Sequence, residues 1–269
     1  MRFASLGSGS KGNATVIDSG QSRVLIDCGF NRKHTRLRLQ ELALDLSDLD
    51  AILVSHEHSD HAKGVVLVCE SIDKPFYATY GTARSAGWLD HPLWQCIDSH
   101  DTFQINDLTI QTVVVPHDSQ EPVQFVVSNQ HFKVGVLSDL GSITPYVIEA
   151  YQNCHGLLLE ANHDLQLLQQ GSYPPALKRR VAGDYGHLNN QQAADLLSRL
   201  LWPGIQHVLA SHISDKNNSL DLVKKEFAQV LACDWQEVDA AIQGQSTGWR
   251  ELTVSALSSS LGSSRSSSL

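Results

Sequence analysis

The chain has 269 residues, of which 42% are hydrophobic and 18% charged, an ordinary globular balance with length enough for a substantial core. No apolar run approaches the roughly 20 residues of a membrane span, and Met1–Gly7 lacks the apolar core of a secretory signal. A net charge of −9 argues against a surface coated for nucleic acid, although it leaves room for a local basic patch. These features predict a cytoplasmic protein with no membrane partner and no obligate protein partner. Five scattered cysteines without a C-x-x-C pair suggest neither a zinc ribbon nor a disulfide framework; they are expected to be reduced thiols in or near the core.

In chain order, β-branched runs predict strands at 15–18, 23–27 and 51–55, with a helix at 33–42 between the last two and another near 62–69. Further strands are predicted at 109–115, 123–128, 133–137, 156–160 and 207–210. Helical spacing is clear in 190–201, where Ala193, Leu196, Leu197, Leu200 and Leu201 share a face and Pro203-Gly204 ends the run. It recurs in 219–231 through Leu220, Val223, Phe227 and Val230, with Ser219 as the cap. Hairpins mixed with helices predict one α/β domain with mixed sheets over residues 1–254. Serine dominates 255–269, which reads as a disordered tail.

The densest chemical signal follows the strand at 51–55: His56, His58, Asp60 and His61 lie within six residues. On extended chain His56 and His58 project the same way. A turn into helix would then aim Asp60 and His61 at a second point, so that one segment seeds two metal positions. Imidazole suits zinc, and carboxylate tolerates zinc, manganese or iron. His117, Asp139 and His212 each stand just past an apolar strand, where one rim of a sheet sandwich can gather them.

With Asp27 in Leu-Ile-Asp27-Cys-Gly, these residues form five ordered motifs, and the chain resembles the metallo-β-lactamase superfamily over nearly its whole length. The resemblance implies an αββα four-layer sandwich. It implies that His56, His58 and His117 hold one metal, that Asp60, His61 and His212 hold another, and that Asp139 bridges both. Two divalent ions, zinc foremost with manganese or iron as alternatives, would supply a hydroxide nucleophile near neutral pH. Histidine at position 58 favours hydrolysis over the redox chemistry of the diiron branch. Asp139 stands where secreted β-lactamases typically carry cysteine.

Glu160 ends another apolar strand and His187 precedes a capped helix; a carboxylate orienting a histidine is a standard way to protonate a leaving group. These segments resemble tRNase Z-like phosphodiesterases, and more closely a compact bacterial branch, the YycJ (WalJ) type of DNA exonuclease. The latter match rests on Gly7-Ser-Gly-Ser10-x-Gly12-Asn13, Glu160-Ala-Asn162-His163-Asp164, Gly186-His187-Leu188 and His212-Ile-Ser214-x-x-Asn217-Asn218. It makes Asp60, Asp139, Glu160 and His187 the expected catalytic residues, and DNA the expected substrate. Ser8, Lys11, Asn13, His163 and Arg179 are the candidate substrate contacts. No inserted cap domain or long arm is evident. A small-molecule hydrolase of the same fold, acting on a cyclic phosphodiester, thioester or lactone, is the alternative; a binding protein that has lost catalysis would call for an incomplete ligand set.

Overall fold

Among the described residues, fourteen strands divide into two mixed sheets of seven. The computed structural model describes residues 1–254; the serine-rich 255–269 segment, read above as a tail, lies outside the described residues. In the first sheet β1 (Arg2–Gly7), β2 (Ala14–Asp18) and β3 (Arg23–Ile26) are antiparallel. From β3 the pairing turns parallel through β4 (Ala51–Leu53), β5 (Phe76–Thr79) and β6 (Trp94–Ile97). The second sheet repeats the plan. Strands β7 (Thr102–Ile105), β8 (Leu108–Val114), β9 (Val123–Ser128) and β10 (Lys133–Leu137) are antiparallel. Strands β11 (Gly156–Glu160), β12 (His207–Ser211) and β13 (Asp239–Ala240) continue it in parallel. Strand β14 (Arg250–Glu251) returns to pair with β1.

The side-chain period of two sorts each strand between layers. Val24, Ile26, Ala51 and Leu53 face Phe125, Val127, Val134, Val136 and Leu158 between the sheets. Leu25, Ile52 and Val54 turn the other way and pack on Leu39 and on Val65 and Val68 of the helices Arg32–Glu41 and Val65–Ile72. Leu137, Leu157 and Leu159 likewise pack on the helices Pro145–Tyr151, Asn190–Leu200 and Leu220–Leu231. Both faces of both sheets are therefore covered, which is the predicted αββα sandwich, and strands covered on both faces read as nearly continuous apolar runs. Among the described residues no helix is long and apolar enough to cross a membrane. All five cysteines are free; Cys28, Cys69 and Cys154 are buried as expected, whereas Cys96 and Cys233 are exposed, one on the short edge strand β6 and the other just past a helix end.

The parallel strands β3, β4, β10, β11 and β12 deliver their C-terminal ends to one rim, the usual place for a site in an open α/β sheet. There the segment after β4 is locked to the one after β3. Cys28 N donates to His61 O (2.7 Å), Gly64 N to Cys28 O (2.7 Å), and Asn13 N to Asp60 O (2.7 Å). The approach is so close that a Cβ on Gly29 would lie 1.7 Å from Asp60 O. Gly29→Ala is therefore expected to destabilise the fold by about 3 kcal/mol, at the upper end of ordinary overpacking, because the obstacle is backbone. Chemical denaturation checks this, and an unchanged midpoint would show that the two segments can separate freely.

Candidate metal centre

The site begins with Asp27, which adopts φ 60°, a left-handed conformation that costs energy in a non-glycine residue. Its Oδ1 accepts from Ser55 N (2.8 Å), and its Oδ2 accepts from Ser55 Oγ (2.9 Å) and His61 Nδ1 (2.8 Å). One carboxylate thus clamps both ends of the histidine-rich segment. Between them the chain stays extended to His58 and then turns into the single helical turn Ser59–Ala62. That is the geometry anticipated for aiming the four side chains at two points.

The first point gathers His56, His58 and His117. His56 Nε2 lies 3.0 Å and His117 Nε2 3.3 Å from His58 Nδ1. His56 Nδ1 donates to Ser55 Oγ (3.0 Å) and His117 Nδ1 to Gly186 O (3.1 Å), which leaves both Nε2 atoms as bare lone pairs. His58 Nδ1 can offer at most one proton to the two of them. A cation satisfies all three nitrogens at once.

The second point gathers Asp60, His61 and His212. His61 Nε2 and His212 Nε2 stand 3.6 Å and 3.7 Å from Asp60 Oδ2. His212 Nε2 is buried without a hydrogen-bond partner, while its Nδ1 donates to Glu160 Oε1 (2.9 Å). Asp139 lies between the two groups: Oδ2 is 2.8 Å from His61 Nε2 and Oδ1 4.0 Å from His117 Nε2. Although close to His61, Asp139 Oδ2 makes no hydrogen bond of acceptable angle and is buried. Asp139 and His212 adopt φ 51° and 50°, so three residues of the cluster hold left-handed backbone where a strand ends. An unpartnered imidazole nitrogen and an unpartnered carboxylate oxygen, both buried, are what a divalent ion would satisfy.

Glu160 ties the cluster to His187. Its Oε1 accepts from His187 Nδ1 (2.7 Å) as well as from His212, and its Oε2 accepts from Leu140 N (3.1 Å). Burial opposes the charge of Glu160, but His187 and His212 overcome it and hold the carboxyl at about 2. Burial likewise opposes protonation of His212, yet Asp139, Asp60 and Glu160 carry it up to about 10. His61 is also raised, against burial, by Asp139 and Asp27. Burial, helped by His61, pushes His56 down, and burial lowers His117.

The sign for metal binding follows. Below the raised values His61 and His212 are protonated in the metal-free protein, and a cation must displace a proton from each. Zinc affinity is therefore expected to rise with pH through the neutral range, with proton release on binding. Calorimetry in buffers of different ionisation enthalpy reads this directly; an observed enthalpy independent of buffer would contradict it.

An open cleft of about 330 Å³ is lined by His58, Asp60, Asp139, His187 and His212, and among the described residues none of the five substrate candidates lines it. Ser8 and Asn13 are buried behind the cluster. Ser8 Oγ donates to Asn13 Oδ1 (2.9 Å) and accepts from His212 N (2.8 Å), and Asn13 Nδ2 sits 3.1 Å from His61 Nε2. Ser10, between them in sequence, reaches the cleft. Lys11 Nζ is paired with Asp215 Oδ2 (2.8 Å). His163 is buried with both ring nitrogens unpartnered and is lowered to about 4, chiefly by burial. In the helix Pro175–Val181, Arg180 and not Arg179 lines the cleft, where it pairs with Asp118. Helix phase sets that choice, and the consecutive basic residues Lys178, Arg179 and Arg180 carry no sign of phase in the sequence. Ser55, Tyr173 and Leu177 also stand at the site and belong to no motif in the sequence; the position of Ser55 directly before the histidine cluster is the one clue it offers.

Residues 22–213 match the beta-lactamase superfamily domain, and the chain belongs to that family. It is a metal-dependent hydrolase of the metallo-β-lactamase fold. It is 30% identical over 237 residues to exodeoxyribonuclease YycJ of Bacillus anthracis, covering 86% of this chain and 89% of that one. Among solved structures it is similar to the metallo-β-lactamase fold protein YhfI of Bacillus subtilis, with TM-score 0.70 at 17% identity, covering 91% of this chain and 98% of the other. It is also similar to the short form of human tRNase Z, with TM-score 0.64 at 16% identity, covering 94% of this chain and all of that one. At those identities the structures speak to the fold.

Proposed function

We propose that the chain is a dinuclear metal-dependent phosphodiesterase that degrades DNA from a strand end. The observation that carries this reading is the pair of donor sets with Asp139 standing between them and His187 held beside them by Glu160. His56, His58 and His117 would hold one ion, Asp60, His61 and His212 the other, and Asp139 would bridge; the buried unpartnered His212 Nε2 and Asp139 Oδ2 fit that assignment. When bound, two divalent ions bring the pKa of a water toward neutrality and polarise a phosphoryl oxygen.

The chain's own groups do the rest. The carboxylate of Glu160 accepts the hydrogen bond from His187 Nδ1, so the ring is oriented and, in its protonated form, its Nε2 hands a proton to the leaving alkoxide. Similarity to an exodeoxyribonuclease over most of both chains supports DNA as the substrate. Five free thiols accord with action in the reducing cytoplasm.

The test is digestion of 5′- and 3′-labelled single- and double-stranded DNA and RNA by protein loaded with zinc or with manganese, beside chelator-stripped protein. Metal-dependent laddering of DNA from one end is expected. Two bound metals with no polymer cut, together with selective turnover of a cyclic phosphodiester, would move the assignment to a small-molecule hydrolase.

A further inference from the structure

The wall of the cleft facing the histidine–aspartate cluster has a composition that hydrolysis of a phosphodiester does not require. Tyr173, Leu177 and Val181 put an aromatic ring and two aliphatic side chains there, with the Arg180 guanidinium among them. The Lys216 ammonium lies 5.6 Å from the Tyr173 ring centroid. The helix Pro175–Val181 that supplies most of this wall buries none of its residues, so its apolar side chains are not accounted for by a core. On the same wall Asn217 is buried, and its Oδ1 has no hydrogen-bond partner, which is unusual enough for a buried acceptor to need a reason.

An aromatic ring, aliphatic neighbours and nearby cations are what single-stranded nucleic-acid sites use, because every base has a π-face and every nucleotide a phosphate. The cleft volume of about 330 Å³ is at the small end for ligand sites, so it admits a nucleotide unit and not a length of duplex. A base can enter only if it leaves its stack, and this costs least where the strand is already unpaired.

We propose that this wall is a stacking subsite for the terminal base of a DNA strand. Tyr173 is the platform, and Arg180, released from Asp118, contacts the strand's phosphate. The subsite rests on the phosphodiesterase reading above and adds to it a physical reason for attack at an end: the site takes one unstacked nucleotide, and a frayed terminus is where one is found.

The experiment compares metal-loaded wild type, Tyr173→Ala and Tyr173→Trp on DNA duplexes with a short overhang. The terminal nucleotide is either natural or an abasic analogue, tested at each end. Loss of stacking is expected to lower wild-type kcat/KM on the abasic end by about 5- to 150-fold. Tyr173→Ala should bring the natural end down to the abasic level while changing the abasic end little, and Tyr173→Trp should restore discrimination. Equal losses on both ends in Tyr173→Ala, or no loss on either, would overturn the subsite while leaving the nuclease reading intact. Wild type that cuts neither DNA would overturn both.

Discussion

Asp139→Ala is expected to lower DNA cleavage by at least about 10³-fold, equivalent to roughly 4 kcal/mol of lost transition-state stabilisation. Asp139 is the carboxylate that stands between the donor groups, at 2.8 Å from His61 and 4.0 Å from His117. Against burial, its charge also raises His61 and His212 above the ordinary imidazole range, and it attracts cations to the site. The variant should therefore bind fewer metals per chain as well as turn over slowly. Asp139→Asn separates charge from backbone, since asparagine tolerates the φ of 51° better than alanine does and keeps the side-chain shape. Both variants should lose activity, with the asparagine variant nearer to wild type in thermal stability. Metal analysis and steady-state rates decide the matter; a variant that retained two metals and more than a tenth of the activity would remove Asp139 from the bridging position.

Much of this architecture was legible in the chain, for reasons specific to its parts. Strands β9, β10 and β11 coincide with their predicted bounds because they are covered on both faces and read as nearly continuous apolar runs, broken only by Gln124 and bounded by Lys133, Ser128 and Glu160. The helices Asn190–Leu200 and Leu220–Leu231 are amphipathic and capped by Asn189 and Ser219, so their limits are marked by the sequence itself. The strands β5, β6 and β7 were not predicted. Each has only four residues, too short a window for a period of two to stand out. Strands β6 and β7 lie at sheet edges with Gln95, Cys96, Thr102 and Gln104 facing solvent, so even the alternation of Thr102-Phe103-Gln104-Ile105 offers just two apolar positions. The helices Leu165–Gln170 and Pro175–Val181 were missed for a related reason: each is less than two turns long, and together they bury only Leu168.

The seven metal-ligand candidates are brought together because their positions follow from strand ends, which sequence marks well. The substrate wall depends on which face of a short, unburied helix meets the cleft, and no pattern in the sequence encodes that. Glu160 lies between these cases. Its place at the end of β11 was visible, but its hydrogen bond to His212 could not be anticipated, since it depends on the parallel register that pairs Glu160 with Ser211.

That second bond shapes the other large effect. His187→Ala is expected to slow DNA cleavage by about 10²- to 10⁴-fold, the range of a lost general acid. A p-nitrophenyl phosphodiester should fall much less, within about tenfold, because its leaving group departs as a stable anion without a proton. Glu160→Gln is expected to behave differently. The amide can accept from only one side, so its NH₂ must face either Leu140 N–H or the Nδ1–H groups of His187 and His212. A donor opposed to a donor in a buried site disturbs both histidines. The Gln variant should therefore lose activity on both substrates and bind metal more weakly, by about 10- to 100-fold, as when the group supporting a ligand histidine is removed. Held at about 2, Glu160 stays ionised throughout the working pH range, so its protonation should not shape the acid limb of the rate profile. Rates on the two substrates, with metal titrations of each variant, separate the roles. If His187→Ala slowed both substrates equally, the histidine would be supporting the fold or the metals and the proton would have to come from elsewhere.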